Sequence, residues 1–325
     1  MILAGIDIGT NTLRLLIAET GPDSFREIFS DRRITRLGQD LDRTGNISPG
    51  AAERTLAALL DFSGQIRRYA ALQSAAIGTS ALRNASNSSA FIHAVKKRTG
   101  LDIAIITGDE EARLTLLGVA RALPNGLLRA KDGAFRPSLI IDIGGGSTEI
   151  IKTRAGAAPV MMSLPLGAVY LTERFIKHDP LSSGELAALR SAVGESLDKH
   201  AGMVRPDPAG AFIGTAGTIT TLAAIDLGLG AYDSDRINRH VLSRDFIDDL
   251  VRRLGVYTIE ERKRIRGIEQ GREDIILAGA VIAQEIMNRS GHVSMLVSDG
   301  GLREGIVLDL YEKLSKDNDQ LTKSK

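Results

Sequence analysis

The chain has 325 residues, 43% hydrophobic, 25% charged and 4% aromatic, a composition that describes a folded protein long enough for two domains and excludes whole-chain disorder. Its 41 basic residues face 40 acidic ones, for a formal charge of +1. No overall basic excess therefore points to nucleic acid, and any anion must be held by local sites. Cysteine is absent, which excludes disulfides, thiolate metal sites and a cysteine nucleophile.

At the N-terminus Asp7 arrives before an apolar run could form a secretory leader. No stretch approaches the roughly 18–20 apolar residues of a membrane helix. A cytoplasmic protein with no membrane and no nucleic-acid partner is expected. Residues 6–18 carry an apolar run containing Asp7, the small turn Gly9-Thr10-Asn11 and a second apolar run, which predicts a β-hairpin. Ser48 and Pro49 mark a helix start, and Leu56, Leu59, Leu60, Ile66 and Tyr69 continue it at helical spacing. A short strand follows at 75–78, then a loop at 79–85, a helix at 89–99 closed by Gly100, and a strand at 103–106. Asp109, Glu110 and Glu111 open the next helix, where the helix dipole favours acidic side chains.

Residues 123–137, with two prolines and two glycines between patterned segments, read as a linker. Beyond it, Ile141-Asp142-Ile143-Gly144-Gly145-Gly146-Ser147-Thr148 echoes Ile6-Asp7-Ile8-Gly9-Thr10-Asn11-Thr12. A second hairpin is expected at 139–153, with helices near 170–175 and 183–200 and a strand at 211–213. The turn Gly214-Thr215-Ala216-Gly217-Thr218 opens another helix, and a strand at 292–297 leads into Ser298-Asp299-Gly300-Gly301. A last helix carries Ile306, Leu310 and Leu314, with a flexible tail expected at 315–325. The repeated hairpin and the alternation of strands with helices predict two similar α/β domains. Their expected limits are 1–124, completed by a C-terminal helix at 303–314, and 125–302.

Glycine-rich turns expose consecutive backbone N–H groups that can hold tetrahedral anions, and several converging turns make a phosphate site. Two familiar phosphate motifs are missing: no Gly-Lys dipeptide occurs, and residues 144–149 do not satisfy G-x-G-x-x-G. None of the five histidines falls at metal-ligand spacing. Asp7 and Asp142 sit inside apolar strands, either as caps of the following turns or as ligands of a divalent cation such as Mg2+. Glu149 follows the second turn on the same hairpin. Arg83, in a loop of small residues, reads as an anion-binding group or as a structural ion-pair partner. The basic clusters Arg32-Arg33-Arg36 and Arg262-Lys263-Arg264-Arg266 read as solvated faces or as a surface for a polyanion. Tyr232 and Tyr257 read as packing residues.

Six ordered segments together resemble the exopolyphosphatase and guanosine pentaphosphate phosphohydrolase family. They are residues 7–15, 79–85, 108–114, 142–149, 214–218 and 298–305. The resemblance, to the short two-domain form, implies duplicated ribonuclease-H-like domains, as in actin, sugar kinases and heat-shock chaperone ATPases, with an interdomain cleft. It implies hydrolysis of the terminal phosphoanhydride of inorganic polyphosphate, or alternatively of guanosine pentaphosphate to the tetraphosphate. A non-hydrolytic sensor of such ligands is a further alternative. Glu111 matches the family's water-activating glutamate and Glu149 its second acidic residue, while Asp142, Asp7 and Glu149 would attend the cation. Asn11, Arg83, Gly144, Gly145, Gly146, Ser147, Gly214, Thr215, Gly217 and Thr218 would contact phosphate. A homodimer is left open.

Overall fold

The computed structural model describes residues 1–124, 126–130, 132–205 and 210–323. It divides into two compact units, Met1–Gly118 with Leu302–Lys325, and Val119–Gly301. The division falls inside a helix, between Gly118 and Val119. The segment 123–137 is thus not where the units part, and within it Arg129 bridges to Phe135 with its guanidinium over the ring.

The first unit begins with β1 (Ile2–Ile8), β2 (Thr12–Thr20) and β3 (Phe25–Ile34), an antiparallel meander. Then follow α1 (Leu41–Thr44), α2 (Pro49–Arg68), β4 (Gln73–Gly78), α3 (Ser80–Asn84), α4 (Ser88–Thr99), β5 (Ile103–Ile105) and α5 (Gly108–Ala122). The sheet runs β3-β2-β1-β4-β5, with β4 and β5 parallel to β1. Ser48 starts α2 by accepting from the N–H of Ala51, and Gly100 ends α4 in the left-handed region at φ 79°. β1 is central and covered on both faces, so it is apolar almost throughout rather than alternating. Ala4, Ile6 and Ile8 pack with Leu59, Phe62 and Phe91 from α2 and α4. Leu3 faces the other way, toward Val307 and Leu310.

The second unit holds β6 (Ser138–Ile143), β7 (Thr148–Thr153), β8 (Val160–Leu164), α6 (Ala168–Phe175), α7 (Ser183–Lys199), α8 (Ala201–Val204), β9 (Ala211–Thr215) and α9 (Ala216–Asp226). It continues with α10 (Ser234–Ile237), β10 (Val241–Ser243), α11 (Arg244–Leu254), α12 (Ile259–Arg262), α13 (Ile276–Ser290) and β11 (Ser294–Val297). Its sheet runs β10-β11-β9-β6-β7-β8. Setting aside the antiparallel edge strand β10, the order and the strand directions repeat those of the first unit. This is the duplicated ribonuclease-H-like, actin-like α/β architecture. α13 lies in the core among Leu189, Val193, Leu250 and Ile219.

The chain then returns to the first unit through α14 (Leu302–Lys323), which continues where a flexible tail was expected; residues 324 and 325 lie outside the described residues. Gly5 lets α14 approach the sheet, since a Cβ there would come within 2.9 Å of Val307 Cγ2. Among the described residues no helix is long and apolar enough to cross a membrane.

Candidate active site

The two Asp-x-Gly turns are built alike. The Gly9 N–H donates to Thr12 O at 3.1 Å, and the Gly144 N–H donates to Ser147 O at 3.0 Å. In both units the carbonyls of the turn are taken by the segment that follows the third strand of the meander. The N–H groups of Thr35 and Arg36 donate to Asn11 O at 3.1 and 3.0 Å, and that of Gly38 to Thr10 O at 2.9 Å. In the second unit Ala168 N–H donates to Gly144 O, and the N–H groups of Val169 and Tyr170 to Gly145 O, at 2.8–3.1 Å. With the carbonyls held, no protein acceptor among the described residues takes the N–H of Gly145, Gly146 or Ser147. Such a row of unengaged N–H groups is a nest for an anion. Asn11 occupies the place of Gly146, is 4% exposed, and neither Nδ2 nor Oδ1 has a hydrogen-bond partner among the described residues. A buried amide in that condition is costly unless a ligand completes it.

The sheet register then sets polar side chains in one row beside each turn. In the second unit the row is Thr215, Asp142, Glu149 and Ser163, on β9, β6, β7 and β8. Residues directly across a strand pair share a face, so two carboxylates and two hydroxyls stand side by side. Ser163 Oγ donates to Glu149 Oε1 at 2.7 Å, and both carboxylates are buried, Asp142 at 7% exposure and Glu149 at 1%. In the first unit the equivalent row is Ile77, Asp7, Arg14 and Arg32. One row is acidic and the other is net basic. Among the described residues no three His, Cys, Asp or Glu side chains gather as a metal cage. The all-oxygen pair Asp142 and Glu149 nevertheless fits a hard divalent cation of the kind that keeps waters and substrate oxygens in its remaining positions. Asp7 fits less well, because its cross-strand neighbour already carries positive charge.

Glu111 lies in the first turn of α5, which Thr107 starts by accepting from the Glu110 N–H at 3.2 Å. The two neighbouring glutamates diverge. Glu110 forms a two-pronged pair with Arg113 at 2.8 Å, and Arg113 reaches on to Asp309 of α14 at 2.6 Å. The hydrogen bonds from Arg113 hold the Glu110 carboxyl below its ordinary range, against the opposing effect of burial. Glu110 therefore belongs to the scaffold. Glu111, 7% exposed, instead accepts from Arg83 Nη1 and Nη2 at 3.2 and 3.3 Å. Arg83 Nη1 also donates to Ile106 O at 2.7 Å. Nε–H and the second Nη2–H of Arg83 remain for an acceptor outside the protein. Arg83 is thus an ion-pair partner, as one sequence reading has it, with donors left over of the kind the anion-binding reading needs.

The turn at 214–218 is more buried than expected of a phosphate loop. A Cβ on Gly214 would collide with Met295 and Ile219, and Thr218 packs its methyl against Gly279 of α13. Thr215 donates its hydroxyl to Gly300 O at 3.0 Å. What this turn offers an anion is backbone at the start of α9, through Ala216, at φ 70°, and Gly217.

The six resembling segments and this duplicated geometry agree with direct comparison. The profile of the Ppx/GppA phosphatase family matches residues 16–314. The chain belongs to that family. It is 33% identical to exopolyphosphatase 2 of Mycobacterium tuberculosis, over 95% of this chain and 98% of that protein. The crystal structure of the Aquifex aeolicus Ppx/GppA family member superposes with a TM-score of 0.78 at 32% identity, covering 98% and 99% of the two chains. An exopolyphosphatase structure from Cytophaga hutchinsonii superposes at 0.86 with 27% identity, covering 96% and 98%.

As a Ppx/GppA protein the chain also uses residues that motif reading passed over. A Cβ on Gly167 would overlap the backbone of Gly145 and Gly146, and one on Gly38 would overlap Thr10. Both glycines permit the close approach that pins the turns, yet each stands alone in sequence, far from the turn it supports. One member of a basic cluster is corrected: Arg262 is 2% exposed and donates from Nη2 to Leu254 O at 2.7 Å, so it stitches the end of α11 and lines no surface, while Lys263, Arg264 and Arg266 are exposed. Tyr232, 40% exposed, donates its hydroxyl to Asp299 rather than packing in the core.

Proposed function

We propose that this Ppx/GppA phosphatase is an exopolyphosphatase, releasing orthophosphate from the end of inorganic polyphosphate. The observation that carries the reading is the partly buried Glu111–Arg83 pair, in which a carboxylate able to take a proton from water sits against an arginine with donors to spare. The exopolyphosphatase name of the relative cited above supports the choice of substrate.

Phosphoanhydride hydrolysis passes through a loose transition state, so positioning and electrostatic stabilisation do most of the catalysis. Glu111 orients the attacking water and accepts its proton as the phosphorus–oxygen bond forms. The leaving phosphate chain departs with the bridging oxygen. Arg83, through Nε–H and Nη2–H, binds the oxygens of the transferred phosphoryl group. Donors in each unit can take phosphate oxygens: the Asn11 amide in the first, and in the second the N–H groups of Gly145, Gly146 and Ser147 and the start of α9. A divalent cation, Mg2+ by the chemistry of the donors, would be held by Asp142 and Glu149 and would neutralise phosphate charge when bound. Asp7 balances Arg14 and Arg32 within its own sheet and has the weaker claim to the cation.

Orthophosphate release from polyphosphate and from guanosine pentaphosphate, measured side by side with Mg2+, tests the assignment. The expected result is a higher kcat/KM for polyphosphate. Preference for the nucleotide would move the activity to pentaphosphate hydrolysis, and binding without release from either would make the protein a sensor. Glu149→Gln should raise the Mg2+ concentration needed for half-maximal rate while leaving a measurable rate at saturating cation. An unchanged Mg2+ dependence would remove Glu149 from the cation site.

A further inference from the structure

We infer that Thr35 is a phosphate-binding residue, its hydroxyl completing with the Asn11 amide one oxygen subsite at the first unit's turn. The inference rests on the phosphohydrolase reading above and deepens it. Thr35 follows β3, is 3% exposed, and its Oγ1 has no hydrogen-bond partner among the described residues. Its backbone N–H donates to Asn11 O at 3.1 Å. Two buried side chains with unmet hydrogen bonds therefore stand one backbone hydrogen bond apart, a condition that costs free energy unless a ligand relieves it.

The surroundings hold Thr35 at this position. Arg36 takes φ 51°, a conformation rare outside glycine, which turns the chain sharply after Thr35. Arg54 of α2 donates from Nε to Thr35 O at 3.0 Å and from Nη2 to Gln39 Oε1 at 3.2 Å, clamping the segment from behind. The ligand class is the phosphate of the reading above, to whose acceptor-only oxygens an amide N–H and a hydroxyl can both donate. Both groups lie beneath the surface, so binding includes a local opening of the turn, and the unmet hydrogen bonds lower its cost.

The test uses Thr35→Val, which removes the hydroxyl and keeps the shape, with Thr35→Ser as the conservative control. Three quantities are read: the melting temperature, with and without orthophosphate, and the KM and kcat for polyphosphate. Without phosphate, Thr35→Val should melt at or above wild type, since an unsatisfied buried hydroxyl is lost. Its stabilisation by orthophosphate should fall, and its KM should rise about tenfold, or about 1.4 kcal/mol, with kcat within about twofold. Thr35→Ser should behave as wild type. A Thr35→Val protein that melts lower without phosphate, and whose KM and phosphate stabilisation are unchanged, would show a merely structural hydroxyl and overturn the inference. Should valine crowd the turn, Thr35→Ala against Thr35→Ser isolates the hydroxyl on the same readouts. A wild type that neither releases orthophosphate nor is stabilised by it would overturn the underlying reading instead.

Discussion

Arg83 and Glu111 are separated by 28 positions yet share one ion pair, and the chemistry assigned to them can be examined one side chain at a time. Arg83→Lys keeps the charge but cannot reproduce a fork that addresses Glu111, Ile106 and a phosphate at once. Its kcat/KM should fall by about 10²–10³, the scale of losing an oriented donor to a developing anion; a loss under about threefold would show that Arg83 only pairs with Glu111. Gly167→Ala should destabilise the protein by about 1–3 kcal/mol, as overpacking does, and should impair turnover more than unfolding explains, because the displaced atoms belong to the Gly144–Ser147 turn. Thermal melts beside kinetics check this. Asn11 and Arg83 could be singled out as candidates from the sequence because they stand inside ordered motifs. Gly167, Gly38 and Thr35 were not, since their meaning lies in a backbone approach or an unmet hydrogen bond that no local pattern encodes.

Among the elements, the contact of α5 with α14 organises the first unit. A Cβ on Gly305 would overlap the carbonyl of Leu114, so Gly305→Ala forces the two helices apart. Alongside it, Arg113 joins Glu110 to Asp309, and Lys313 pairs with Asp309 at 2.8 Å. Hydrogen bonds from Arg113 lower the Glu110 carboxyl; for Asp309, burial acts upward, but the bonds from Lys313 and Arg113 outweigh it. Carboxyls that are lower in the folded state stabilise it above their ordinary values of 4.5 and 3.8, and that contribution is lost as pH falls through the lowered values. Arg113→Met should therefore flatten the loss of stability between neutral pH and about pH 3, read by denaturant titration at several pH values. A slope equal to wild type would contradict the coupling. The amphipathic α2 and the capped α4 were readable from spacing and from Ser48, Pro49 and Gly100. α13 was not, because Ile276, Leu277, Val281, Ile282, Ile286 and Met287 are buried on every side and leave no polar stripe to reveal a period. β3 escaped because an edge strand carrying Arg26, Glu27, Asp31, Arg32 and Arg33 lacks an apolar alternation.

At the scale of the whole molecule, the echo between residues 6–12 and 141–148 foretold duplication, and the shared strand order realises it. Divergence between the copies then set one acidic row, Asp142 with Glu149, and one basic row, Arg14 with Arg32, on equivalent strands. The division inside α5 was not legible, because a helix that continues through a boundary shows no break in its pattern. Removal of residues 302–325 should unfold the first unit selectively. Ile306, Val307 and Leu310 are buried, and at roughly 1.5–3 kcal/mol each their loss rivals a domain's total stability of about 5–15 kcal/mol. The second unit, contiguous from Val119 to Gly301, should keep a cooperative melt, and limited proteolysis should degrade the first unit alone. Equal protection of both units would contradict this division of the core.

The most direct test of the central claim is the rate of orthophosphate release from polyphosphate by wild type and Glu111→Gln at saturating Mg2+. A water-activating carboxylate predicts a fall in kcat of about 10²–10⁴, with polyphosphate binding retained. A Glu111→Gln protein that turns over at the wild-type rate would contradict it.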